Sequence, residues 1–342
     1  MKLMRLRVDE ALGLQLAHSN LGARGRIGKA TILEESHITS LVDAGVVEVE
    51  VVVPGPHEIP EDLVSERLVK SLSWTGCVFK RANGGRYNVY ASHSGFVDFV
   101  RVDIDALNAL SEEITLATCL PATSVMEGDQ IATLKIIPFY VSESLVSVVE
   151  LVLQKINLTV RPWRSDLKIG LIQTSNDTIT SKIQKKAFAV QESRLRAYGI
   201  NELLDYRSAH DLLGLESCIS AAITDALDVL MILGASAICD RDDVIPTAIE
   251  KAGGTVIYFG MPVDPGNLLL LGEVGRIKVI GLPGCSRSPA MNGLDLVLDR
   301  LMAGLAVTAR DIQSMGVGGL LTGKNSRMAS SFVGKQSLTE SA

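Results

Sequence analysis

From residue 168 onward the chain keeps one rhythm: a short apolar run, a turn built on glycine or proline, then a stretch with helical periodicity. Apolar runs without polar alternation suit strands buried on both faces, and their alternation with helices implies a parallel sheet covered on both sides. Residues 168–173, 229–233, 255–259 and 278–282 read as strands. Residues 181–198, 215–226, 244–251 and 292–303 read as helices, with Gly199, the Gly253-Gly254 pair and Gly304 as stops. The expected fold class for this half is α/β, a doubly wound, mostly parallel sheet.

The first half lacks that rhythm. Residues 37–44 read as a short helix capped by Ser36 and stopped by Gly45, and residues 60–72 and 104–110 as further helices. Residues 46–53, 87–91, 96–102 and 131–137 read as strands. This half is expected to be α+β and strand-rich. The polar break Arg161-Pro162-Trp163-Arg164 sets the expected domains at 1–164 and 165–312, followed by a flexible tail, 313–342, rich in Gly and Ser. Aromatics make up 4% against 47% hydrophobic residues, so the cores are aliphatic. A net charge of −6 argues against a nucleic-acid surface. No apolar run approaches the roughly 20 residues of a membrane span. Asp9 and Glu10 arrive before any long apolar region, so the start does not read as a signal peptide. Five scattered cysteines form no Cys-x-x-Cys pair, which suggests neither a zinc site nor a disulfide framework. A soluble, cytoplasmic protein and a homo-oligomer are expected.

Three turns come directly after apolar runs and together suggest one ligand site: Leu233-Gly234-Ala235-Ser236, then residues 262–267, containing Asp264-Pro265-Gly266-Asn267, then Gly281-Leu282-Pro283-Gly284-Cys285-Ser286. Ligands of open α/β sheets bind beyond the carboxyl ends of the strands. Glycine there lets the backbone approach closely, and free N–H groups at the next helix start favour an anion. The last two also read as plain turns with Pro before Gly, a geometry that presents the same amides. Asp240, Asp242 and Asp243 are candidate magnesium ligands, since that ion prefers oxygen donors shared with phosphate. Equally, Asp242 or Asp243 serves as N-cap of the next helix. Cys285 reads as a spectator thiol, with no histidine near it in sequence. The run Gly318-Gly319-Leu320-Leu321-Thr322-Gly323-Lys324 has phosphate-loop spacing, but Asn325 stands where a Ser or Thr is needed.

Residues 168–304 resemble the molybdopterin-binding domain shared by molybdopterin adenylyltransferases and molybdotransferases. That family carries Gly-Gly-x-Ser-x-Gly-x-x-Asp after a strand, a Gly-Gly stop, a Pro-Gly-Lys-Pro turn and a Gly-Leu-Pro-Gly-Asn-Pro turn. Here the same order appears as Gly234-Ala235-Ser236, Gly253-Gly254, Pro265-Gly266-Asn267 and Gly281-Leu282-Pro283-Gly284. Thr174 and Ser175 lie where the family has Thr-Gly-Asp-Glu. Residues 8–13 and 32–53 are similar to the opening segments of the molybdotransferase. The resemblance implies that Thr174, Ser175, Gly234, Ala235, Ser236, Pro265, Gly266, Asn267, Pro283, Gly284, Cys285 and Ser286 hold molybdopterin or its nucleotide form. It implies a role in molybdenum-cofactor biosynthesis or maturation, with magnesium at the aspartates. The step would be molybdate insertion, or else a non-catalytic carrier or sensor serving a nucleotidyltransferase or molybdoenzyme. A general nucleotide-binding α/β protein is the further alternative. In strict register, Leu233, Ile238, Arg241, Asn267, Cys285 and Ser286 depart from the family pattern. The departures erode the positions for metal and transferred charge more than those for binding.

Overall fold

A computed structural model describes residues 1–321. Its internal contacts define two units. Residues 1–93, 97–121 and 127–160 make up the first, so the chain visits the second at 94–96 and 122–126 before joining it at 161. The tail expected from 313 falls partly outside the described residues, as does the end of the phosphate-loop-like run. Within them, Ala309–Ser314 is helical, and Asp264 pairs with the backbone on either side of Leu320.

The first unit is built from antiparallel sheets with helices, in keeping with its irregular sequence rhythm. Lys2–Arg7 and Gln15–Leu16 flank Glu48–Val53. The valines of that middle strand alternate, so Val49 and Val51 pack with Leu16, Leu33 and Leu41 of the small core. A four-stranded sheet has the order Ile114–Thr118, Gln130–Ile136, Arg86–Ala91, Cys77–Ala82. The expected helix at 37–44 is Glu35–Asp43, and its cap is Glu34 rather than Ser36. The Glu34 carboxylate and the His37 ring exchange reciprocal bonds with each other's backbone amides, a capping box that begins before the serine.

The second unit holds a six-stranded sheet in the order Leu204–Ala209, Ile169–Ser175, Val229–Leu233, Ile277–Gly281, Leu270–Val274, Thr255–Phe259. The first four are mutually parallel; the last two join antiparallel. Val229–Leu233 is buried at every residue, as a central strand covered on both faces must be. Its side chains alternate between two cores. Met231 and Leu233 pack with Ala187, Leu195, Leu294 and Leu298 on one face, while Leu230 and Ile232 meet Leu215, Ile219, Ile245 and Ile249 on the other. Helices therefore cover both faces.

Two strands escape the sequence reading, and one changes the topology. Leu270–Val274 turns through Gly275, at φ +56°, into Ile277–Gly281 as a hairpin. The far side of the sheet is thus an antiparallel ribbon, not a continuation of the parallel set. Two reversals restore direction, so Thr255–Phe259 still ends at the same edge as the four parallel strands. All three predicted turns lie along that edge, with the oppositely running strand between the second and the others.

Candidate functional site

The decisive residue on this edge is not among the sequence candidates. His210 comes just after Leu204–Ala209, the edge strand, and its amide bonds the Ser175 carbonyl of the neighbouring strand at 2.9 Å. Its ring joins two turns: Nδ1 lies 2.8 Å from the Thr174 hydroxyl and Nε2 lies 2.8 Å from the Ser236 hydroxyl. The Ala235 amide donates to Thr174 Oγ1 at 2.8 Å. Thr174, Ala235 and Ser236 are thereby held in one network although they belong to the ends of different strands.

The partners of Thr174 set the ring tautomer. Thr174 is buried, and its oxygen already accepts the Ala235 N–H. Were it also to accept from His210 Nδ1, its own hydrogen would lie buried without an acceptor, at a cost of about 1–3 kcal/mol. The satisfied arrangement has Thr174 donating to Nδ1, which leaves the ring proton on Nε2, donating to Ser236 Oγ. The exposed Ser236 hydroxyl then keeps its own hydrogen for an outside acceptor. His210 is the donor to that hydroxyl, so the trio is not a nucleophile with its base; it presents a donor to a ligand.

Arg287 brings the first and third turns together. Its Nη2 donates to the Gly234 carbonyl at 2.7 Å, and a Cβ built on Gly284 would lie 3.9 Å from its Nη1. Burial pulls the half-buried guanidinium below its usual range, and no carboxylate pairs with it among the described residues. A partly desolvated cation without a counter-charge is a standing attraction for an anion.

The third turn is held from beneath. Buried Arg194 donates to the carbonyls of Ser286, Ser288 and Ala290 at 3.4, 3.2 and 3.3 Å, and pairs with Asp295 at 2.6 Å. Gln191 Nε2 donates to Ser286 O at 2.7 Å. Of the candidates here, Gly284 is exposed and Cys285 half-buried, its thiol pushed up by burial. Ser286 is fully buried, and its hydroxyl has no protein partner among the described residues, so it does not face the edge as an open donor. Ser175 is partly buried and donates to Ser208 O at 3.3 Å.

The second turn packs against a helix. Gly266, at φ +139°, lies so near the helix Gly293–Met302 that a Cβ would sit 2.5 Å from the Gly293 nitrogen. The Gly293 amide donates to Pro265 O at 2.9 Å, and the Asn267 carbonyl receives the Met261 amide at 2.8 Å. This glycine serves a helix–turn contact. These bonds use carbonyls of the turn as acceptors, Pro265 O and Asn267 O, and Pro265 itself brings no amide hydrogen.

The aspartates form a turn. Asp243 stands at the N-cap position of Val244–Lys251 without capping it; its carboxylate turns back to accept the amides of Cys239 and Asp240, the latter at 3.0 Å. Asp240 Oδ1 accepts the Asp242 amide at 2.9 Å. No group of three or more His, Cys, Asp or Glu side chains suited to a metal ion occurs among the described residues. The carboxylates at 240–243 are only partly engaged: Asp243 Oδ2 and Asp240 Oδ1 accept backbone amides, and the Arg241 guanidinium donates to Val256 O at 3.5 Å.

No protein-family model matches the chain, and no curated protein matches it either. Among solved structures it is similar to a molybdopterin biosynthesis MoeA protein from Pyrococcus horikosii, at 13% identity and a TM-score of 0.29, over 88% of this chain and 75% of that one. It is also similar to a MogA structure, at 20% identity and a TM-score of 0.27, over 39% of this chain and 93% of that one. Likenesses this weak establish neither fold nor function. Among the described residues, no helix is long and apolar enough to cross a membrane.

Proposed function

We propose that the second unit binds a phosphate-bearing ligand at its strand edge, and that the ligand is molybdopterin or its nucleotide form. The observation that carries this is Arg287: a partly desolvated guanidinium without a carboxylate partner among the described residues, fixed between Gly234 and Gly284. Ser236, its hydroxyl oriented by His210, supplies a neutral donor on the same edge. Cation and hydroxyl suit a phosphate or pyrophosphate, as anion sites at strand ends generally do. The pterin part of the proposal rests on the ordered turns of the sequence, Gly234-Ala235-Ser236 to Gly281-Leu282-Pro283-Gly284.

Binding is favoured over transfer. Asp240 and Asp243 are bound by amides, and Arg241 and Asn267 stand where the family pattern has an aspartate and a lysine. The role is that of a carrier or sensor in molybdenum-cofactor metabolism. Heat-denaturing the purified protein and reading the supernatant for a fluorescent oxidised pterin tests it, with calorimetric titration of molybdopterin beside ATP. Pterin release and pterin binding are expected. ATP binding without pterin binding would overturn the ligand assignment in favour of a general nucleotide site.

A further inference from the structure

The first unit carries a second feature, and its chemistry is not that of the strand edge. Residues 11–33 contain no Asp or Glu, although the whole chain has a net charge of −6, and they do contain Arg24, Arg26 and Lys29. This segment forms the hairpin Asn20–Gly22 with Gly25–Ile27, packed on the helix Glu35–Asp43. The packing is close and specific. A Cβ at Gly22 would lie 2.4 Å from Ser40 Oγ, the Ala23 amide donates to Ser40 O at 2.8 Å, and the Arg24 amide donates to Ser40 Oγ at 3.0 Å.

Hairpin and helix border an open concavity of about 440 Å³, lined by Arg24, Arg26, Thr31, Ser36, His37 and Ser40 among others, with no acidic side chain. Arg26 is steadied by donating to Ser19 Oγ at 3.1 Å. The His37 ring has a defined polarity: Nδ1 accepts the Glu34 amide at 3.1 Å, so the neutral imidazole carries its proton on Nε2 as a donor. Two guanidinium forks, an imidazole N–H and the hydroxyls of Thr31 and Ser36 thus line one concavity. Forked guanidinium donors match phosphate oxygens bidentately. The cavity is larger than a phosphate and lies in the range of small-molecule sites.

We propose that this concavity is a binding site for a small phosphate-bearing molecule, separate from the strand-edge site, with Arg24 and Arg26 as its anion anchors. The test is calorimetric titration of the full chain with inorganic pyrophosphate at low salt, with melting temperature read alongside. It compares wild type with R24Q/R26Q and R287Q. Both hairpin arginines are exposed, so their replacement is expected to leave the melting temperature without ligand unchanged. The double variant is expected to weaken a pyrophosphate site at least about tenfold, whatever R287Q does at the strand edge. Unchanged binding in R24Q/R26Q, or no binding and no thermal shift in wild type at millimolar pyrophosphate, overturns the hairpin site. Loss in R287Q alone overturns it too, while leaving the strand-edge reading intact. A single-stranded RNA bound through these arginines in preference to pyrophosphate would replace the small-molecule assignment with a nucleic-acid one.

Discussion

Arg287 separates a residue kept for stability from one kept for a ligand. Among the described residues its guanidinium is held by a single carbonyl and has lost water without gaining a carboxylate, a net cost to the folded chain. R287Q is therefore expected to lower affinity for the phosphate-bearing ligand at least about tenfold without lowering the melting temperature. A lower melting temperature with unaltered affinity would make the arginine structural. Thr174 is expected to behave oppositely. T174V leaves the Ala235 amide and His210 Nδ1 without their partner, so it should cost about 1–3 kcal/mol and weaken binding, whereas T174S should restore both. Denaturant melts and titrations of the two variants check this. Asp299 supplies a pH handle. It is buried and accepts the Tyr198 hydroxyl at 2.8 Å, and burial pushes its pKa up to about 6. A carboxyl whose folded value exceeds its unfolded one favours the folded state fully at low pH. That contribution is lost as pH rises from about 4 through about 6. D299N keeps a neutral partner for Tyr198, so it should stabilise the protein at pH 7, by up to a few kcal/mol, and by much less at pH 4. A gain independent of pH in chemical denaturation would refute the assignment.

Elements show why some of this is legible in the sequence and some is not. Val229–Leu233 and Ile169–Ser175 announce themselves as apolar runs because both faces are covered, and the turns after them are legible for that reason. Leu204–Ala209 is an edge strand reading Leu-Asp-Tyr-Arg-Ser-Ala; the alternation that suits an edge hides it, and His210 with it. A histidine one residue beyond a strand end is a signal only where the strand itself can be recognised. Leu270–Val274 is hidden because Gly272 interrupts a short apolar stretch, and without it the antiparallel ribbon cannot be foreseen. The sequence marks Gly266 as a special backbone position but not the reason for it: the helix Gly293–Met302, far along the chain, is what approaches it. G266A should cost several kcal/mol, since it combines a conformation L residues avoid with an overlap on backbone atoms that cannot swing aside. Thermal melts and proteolysis rates read that loss, and a near-neutral alanine would show that the turn yields easily.

At the scale of the molecule, the question is whether a binding architecture is also a catalytic one. Transfer of molybdate to an adenylated pterin with magnesium requires carboxylate oxygens free to meet the ion in near-octahedral geometry and a cation beside the developing charge. In this chain, backbone amides hold one oxygen each of Asp243 and Asp240, and Arg241, a permanent cation between Asp240 and Asp242 in sequence, donates to Val256 O. Turning those two oxygens to a metal means breaking the turn that precedes Val244–Lys251, a structural change rather than a rotamer change. Asn267 brings no charge to the second turn, whose carbonyls at Pro265 and Asn267 accept the amides of Gly293 and Met261. Arg287 offers one fixed charge, which suits holding an anion and does not by itself favour the transition state over the ground state. The expected result is tight pterin binding with little or no turnover when adenylated pterin, molybdate and magnesium are supplied together. D240A and D242A should change neither, beyond what a loosened turn costs in melting temperature. Robust transfer abolished by either substitution would mean that the turn opens on binding and that the chain is a working transferase. Retained binding with no transfer in all three proteins would place it among carriers or sensors, its specificity lying in Arg287, Ser236 and the histidine that orients the serine.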